Sequence, residues 1–229
     1  MARAEGRLDR ERIRAICFDV DGTLSDSDDR WTHRFEKMLR PLRGLMPGQD
    51  AHAAARWLVM SLETPGNLVY EALDRLHLDD EAGRLVSAMA RLRRDRHDDF
   101  LLVAGVDALL AGLHGRYPLA VVSARGAHST GDFLDQFALR GYFQAVATAW
   151  TCTYTKPFPD PILWAAEQMG VSPGACLMVG DTTVDIRAGK AAGAQTVGVL
   201  CGFGREGELR RAGADLILHS TTELAGFLD

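Results

Sequence analysis

The sequence predicts an α/β fold: a Rossmann-like parallel sheet core with an inserted helical domain. Three observations predict it. Short runs recur that are nearly continuous in apolar residues, as strands buried on both faces are. Helical patterns separate most of these runs, and strand–helix alternation of this kind means a parallel sheet covered by helices. One stretch breaks the alternation and carries helical patterns alone.

The first strand is read at residues 13–20 (IRAICFDV). The stretch that follows, residues 26–98, contains no strand-like run. Trp31, Phe35, Met38 and Leu42 recur at the spacing of one helix face, and residues 53–62, 68–76 and 81–94 read as further helices. Pro47-Gly48, Pro65-Gly66 and Asp79-Asp80 punctuate them, which suits a small helical bundle. The expected division is therefore a core of residues 1–25 and 99–229, with residues 26–98 inserted. Within the core, helices are expected at 106–113, 127–137, 159–169 and 183–192. Strands are expected at 118–123 (PLAVVS), 145–148 (AVAT), 175–179 (ACLMV), 196–200 (TVGVL) and 215–218 (DLIL).

Composition narrows the function classes. A formal net charge of -5 argues against a nucleic-acid binder, which usually carries a basic surplus. The basic run 91–96 (RLRRDR) reads as a solvated helix face. No stretch approaches the ~20 apolar residues of a membrane span. The first 14 residues are polar and charged, without the apolar core of a signal peptide. Cys17, Cys152, Cys176 and Cys201 lie far apart and form no C-x-x-C pair, so they read as small buried hydrophobes in a reducing compartment. A cytoplasmic protein, monomeric or homodimeric, without a nucleic-acid or membrane partner, is expected.

Four features carry chemistry. Asp19-Val20-Asp21-Gly22-Thr23 follows the first strand directly, and in open parallel sheets ligands bind beyond the carboxyl ends of the strands. Two carboxylates at i and i+2 repel unless a cation neutralises them, and hard carboxylate oxygens suit Mg²⁺. Gly22 permits the tight turn. In isolation the pentapeptide could also be a strand end with a polar turn, the lesser reading at this position. Gly180-Asp181-Thr182-Thr183-Val184-Asp185 places two more acids at a strand's carboxyl end, where either could be a plain helix N-cap. Ser123 ends another strand and opens a helix, offering a hydroxyl and helix-start N–H groups to an anion, or simply a serine cap. Lys156 lies in a loop with Pro157, Pro159 and Pro161; a cation there suits a phosphate or a crowded carboxylate cluster, although a lone lysine is by default a surface residue.

Together, in this order and spacing, the four resemble the motifs of the haloacid dehalogenase-like hydrolase superfamily: D-x-D-G-T, a Ser/Thr at the second strand, a Lys before a proline-rich helix start, and GD-x-x-x-D. Residues 188–198 (AGKAAGAQTVG), followed by Gly213-Ala214-Asp215, are similar to the subfamily that contains phosphoglycolate phosphatases and β-phosphoglucomutase. The resemblance covers residues 10–25 and about 100–229, and the helical insert stands where that subfamily carries a helical cap.

The resemblance implies a Mg²⁺-dependent phosphatase acting on a small-molecule phosphate ester. Asp19 would attack phosphorus and carry the phosphoryl group. Asp21 would protonate the leaving oxygen and then activate water, and its carbonyl would ligate Mg²⁺. Asp19 and Asp181 would supply carboxylate ligands, with Asp185 assisting through water or Lys156. Ser123 and the N–H of Ala124 would hold phosphoryl oxygens, and Lys156 would balance charge beside Asp19. Many relatives carry Asn after the Ser/Thr; here Ala124 stands there, followed by Arg125, which would either replace that side chain or meet the substrate. Asp21 speaks against dehalogenation, because relatives acting on haloacids lack the second aspartate. The insert's only lysine, Lys37, does not single out phosphonate hydrolysis. A sugar phosphomutase of the β-phosphoglucomutase type would share every core residue, and a catalytically idle binding protein is the third reading. Substrate choice is expected from the cap and its hinges, near 25–28 and 100–105. Trp31, His33 and Arg34 open the cap and could touch the substrate, but read rather as a core-packing Trp31 and solvent-facing His33 and Arg34.

Overall fold

The computed structural model describes residues 8–26 and 100–228. The helical insert, with Trp31, His33, Arg34, Lys37 and the basic run 91–96, lies outside the described residues. Six strands form one sheet: β1 (Ala15–Phe18), β2 (Leu119–Val122), β3 (Ala145–Ala147), β4 (Cys176–Gly180), β5 (Gln195–Val199) and β6 (Leu216–Leu218). Their order is β3-β2-β1-β4-β5-β6 and every pairing is parallel. The order reverses at β1, so the crevice beside this strand is the place a doubly wound sheet offers a ligand.

Side-chain alternation sorts the strands onto two faces. Ile16, Phe18, Val121, Leu177, Val179 and Val197 point into one buried cluster. It is closed by helices α1 (Val106–Leu113), α2 (Ala127–Gln136) and α6 (Leu224–Leu228). Ala15, Cys17, Ala120, Cys176 and Met178 point the other way, onto α3 (Asp160–Gln168) and α4 (Thr183–Ala191). This second face is built from small residues, and α4 lies close to it. A Cβ on Gly189 would overlap the Thr196 side chain. Among the described residues the four cysteines form no disulfide; Cys17 and Cys176 are buried as strand residues, and Cys152 and Cys201 are partly exposed.

All six expected strands are present. The first is shorter than its apolar run because the chain turns out of the sheet after Asp19, whose N–H makes the last bond to β4, with the Val179 carbonyl at 2.9 Å. Two helices carry no signal in the expectation. In α5 (Glu206–Ala212) only Leu209 is buried, and α6 is five residues long, so neither spans enough turns to show a 3.6-residue period. Among the described residues, no helix is long and apolar enough to cross a membrane.

Candidate active site

Strand register brings the chemistry together. Phe18 pairs with Val121 and with Val179, so Asp19 leaves the sheet between the ends of β2 and β4, where Ser123 and Asp181 follow. Asp19, Ser123, Lys156, Asp181 and Asp185 are all buried. Four separate loops thus deliver polar groups to one point at the carboxyl end of the sheet.

The turn after Asp19 is held from several sides. Gly22 has φ 68, a left-handed conformation that glycine adopts without strain. Its N–H donates to the Ser25 carbonyl at 2.8 Å. The Cys201 thiol donates to the Gly22 carbonyl at 3.3 Å, and the Thr221 hydroxyl donates to the Thr23 carbonyl at 2.7 Å. The loops after β5 and β6 therefore hold the turn that carries Asp21.

Asp19, Asp181 and Asp185 offer oxygens that all lie within 4.8 Å of one another. Lys156 reaches into this group, with Nζ 2.7 Å from Asp19 Oδ1 and 2.6 Å from Asp185 Oδ1. The lysine is thus no surface residue: it is 3% exposed. Burial alone would pull its ammonium below the ordinary range, but the carboxylates of Asp185 and Asp19 outweigh it and hold the pKa above. Asp19 is pushed up to about 7, chiefly by burial; Lys156 opposes the rise, while Asp185 and Asp21 add to it. One ammonium thus leaves the cluster short of positive charge. Hard oxygen donors, close spacing and unbalanced negative charge together fit a divalent cation of the Mg²⁺ type.

The two acids of the second pair differ in employment. Asp185 Oδ1 accepts from Lys156, while its Oδ2 accepts from the Thr182 N–H at 3.0 Å and the Thr182 hydroxyl at 2.7 Å. Thr182 is the N-cap of α4, and Asp185, three residues on, completes the capping box and aims the lysine; neither aspartate is the N-cap itself. Asp181 Oδ2 accepts from the Phe203 N–H at 2.8 Å.

That last contact belongs to a loop absent from the sequence reading. After β5, Gly202 packs against Asp181 and against Gly22; a Cβ on Gly202 or on Gly22 would overlap Asp181 Oδ2, and one on Gly204 would overlap the Asp181 carbonyl oxygen. Gly202-Phe203-Gly204 just past a strand's carboxyl end was the available signal.

Ser123 lies one residue beyond β2, and its hydroxyl accepts from the Arg125 N–H at 3.1 Å. It does not cap the helix: three residues intervene, Ala124 among them, and Gly126 is the N-cap of α2. Arg125 turns toward Asp21. Its Nε donates to Asp21 Oδ2 at 2.5 Å, Nη2 pairs with Asp21 Oδ1, and Nη1 donates to the Ser129 hydroxyl at 3.2 Å. Its guanidinium carbon stands 5.0 Å from the centre of the Phe100 ring. Ser129 was not among the residues singled out from sequence, and Phe100 was expected only as part of a hinge.

Residues 16–199 match the haloacid dehalogenase-like hydrolase family. Among curated proteins the chain is similar to the "Probable phosphatase IndB" of Dickeya dadantii, with 31% identity over 92% of this chain and 91% of that one. It is also similar to a phosphoglycolate phosphatase of Nitrosococcus oceani, with 28% identity over 93% and 95%. Among solved structures, a hydrolase from Pseudomonas syringae superposes with a TM-score of 0.64 at 27% identity, covering 94% of this chain and 98% of that one.

Proposed function

Because this chain belongs to the haloacid dehalogenase-like hydrolase family, we propose that it is a Mg²⁺-dependent phosphatase that hydrolyses a small phosphomonoester through an aspartyl-phosphate on Asp19. The observation that carries the reading is the Asp19–Lys156–Asp181–Asp185 cluster at the carboxyl end of β1 and β4. Similarity to phosphatases over more than nine-tenths of both chains supports it.

Asp19, Asp181 and the Asp21 carbonyl would hold the cation, with Asp185 bracing Lys156 beside them. Bound there, Mg²⁺ supplies positive charge for the carboxylates and the phosphoryl oxygens. The remaining work falls to side chains. Lys156 holds Asp19 Oδ1 and so fixes the carboxylate that attacks phosphorus. The P–O bond to the ester oxygen breaks as the bond to Asp19 forms. The departing oxygen keeps the electron pair and takes a proton from Asp21. Asp21 then accepts a proton from water, whose oxygen attacks phosphorus, releases inorganic phosphate and restores the Asp19 carboxylate. Ser123 and the Ala124 N–H would hold phosphoryl oxygens during both steps. The division into a core of residues 1–25 and 99–229 and a helical cap of 26–98 belongs to this proposal, with ester choice resting on the cap.

Phosphate release from a panel of phosphomonoesters, with Mg²⁺ and with EDTA, on wild type and Asp19→Asn, tests the reading. Release that needs Mg²⁺ and vanishes in the variant is expected. Full activity in chelator, or substantial activity in Asp19→Asn, refutes it.

A further inference from the structure

Arg125 and Asp21 form a forked ion pair: two guanidinium N–H groups meet the two carboxylate oxygens. Their side chains are 17% and 33% exposed, so the pair is partly open to solvent, unlike the buried Lys156 pair. Arg125 is itself fixed in place. Its backbone N–H is bonded to Ser123, its carbonyl accepts from the Ala149 N–H at 2.9 Å, Nη1 is bonded to Ser129, and the guanidinium rests on Phe100. A planar fork so anchored dictates the plane and direction of the carboxylate it holds.

The chemistry of a forked pair separates the two halves of the reaction. A carboxylic acid giving up a proton must carry that proton on one oxygen, which is then a weaker acceptor for the fork than a carboxylate oxygen. A carboxylate accepting a proton offers about four acceptor positions, so a fork that occupies one on each oxygen leaves it able to act as a base. The contact therefore holds at full strength while Asp21 activates water, and loosens at one oxygen while Asp21 carries the proton for the leaving group.

We infer that Arg125 is a positioning residue for the second half of the reaction: it holds the Asp21 carboxylate in the orientation that activates the attacking water. This rests on the phosphatase reading above. It predicts a kinetic signature that neither a substrate-binding nor a merely structural role produces. Without Arg125, phosphorylation of Asp19 by an ester with a good leaving group proceeds, hydrolysis of the aspartyl-phosphate slows, and the phosphoenzyme accumulates.

Rapid mixing of p-nitrophenyl phosphate and Mg²⁺ with wild type, Arg125→Ala and Arg125→Lys reads this directly. Arg125→Ala should release nitrophenol in a burst approaching one equivalent per enzyme. Steady turnover should then be about 10–100-fold below wild type. Since only the later step is slowed, kcat and KM should fall together and kcat/KM should stay within about twofold of wild type. Arg125→Lys keeps the charge without the fork and should show the same burst with a smaller loss. It also serves if the alanine variant does not fold. A fall in kcat/KM without a burst, a raised KM, or unchanged turnover overturns the assignment while leaving the phosphatase reading standing. A folded wild type that releases no nitrophenol in Mg²⁺ overturns both.

Discussion

Lys156 Nζ lies 2.7 Å from Asp19 Oδ1, with the lysine side chain 2% and the aspartate side chain 9% exposed. The pair is completed by Asp185, so one ammonium serves two carboxylates out of water. Removing one partner of a buried pair leaves an uncompensated charge, which costs more than the pair itself contributes. Lys156→Met should therefore lower stability by about 3–5 kcal/mol in EDTA. It should also lower phosphate release at least 100-fold, because the carboxylate proposed to attack phosphorus loses its anchor. Urea unfolding and phosphate release check both; a variant as stable and as active as wild type contradicts the assignment.

Asp19 makes stability depend on pH. Its pKa is about 7 in the folded chain against 3.8 for the ordinary carboxyl. Between these values the folded state keeps a proton that the unfolded state has lost. The contribution is thus most favourable at the acid end and is lost as pH rises toward 7. A cation that binds the carboxylate displaces the proton and removes this loss. Thermal unfolding with and without Mg²⁺ should show a larger rise in Tm from the metal at pH 8 than at pH 5.5. An equal rise at both values counts against Asp19 as a ligand.

Asp181 is the acid best suited to separate metal binding from folding. Asp181→Asn keeps an oxygen able to accept the Phe203 N–H, so the loop after β5 should stay in place. The charge is lost. Calorimetric titration should find Mg²⁺ affinity reduced at least tenfold, with an unchanged circular dichroism spectrum. Undiminished affinity removes Asp181 from the ligand set.

Glycine spacing gives a steric test. Gly202→Ala would force a Cβ onto Asp181 Oδ2, and should abolish Mg²⁺-dependent activity with a stability loss of about 1–3 kcal/mol. Gly112, inside α1, has nothing within 4 Å of its would-be Cβ. Gly112→Ala should raise stability by about 0.5–1 kcal/mol with activity intact. A Gly202→Ala enzyme with wild-type activity contradicts the close approach; a destabilised Gly112→Ala contradicts the open space.

The core was legible in the sequence because a parallel sheet buries both faces of its strands. Runs such as 175–179 are then apolar without interruption, and the acids at their carboxyl ends stand out against them. Asp19, Asp21, Asp181 and Asp185 were visible as charges placed where an apolar run stops. Ser123 and Lys156 were visible only once these acids had defined what they would serve. Short elements such as α5 were not legible, since a single buried residue, Leu209, leaves no period to detect.

By itself, then, the sequence determined the fold class, the order of the strands along the chain and the identity of the chemical groups, because burial and backbone geometry act residue by residue and leave local patterns. Which groups meet was decided only by the tertiary structure. Lys156 lies 137 positions after Asp19 and Phe203 lies 22 after Asp181, and no local pattern records that their loops converge. Arg125 is the clearest case. The sequence allowed it either to replace a missing asparagine or to meet a substrate, and register with β1 places its guanidinium against Asp21, 104 positions away. The physical reason is the same throughout: a contact across a sheet is set by strand order and register, which are properties of the whole assembly of strands rather than of any one of them.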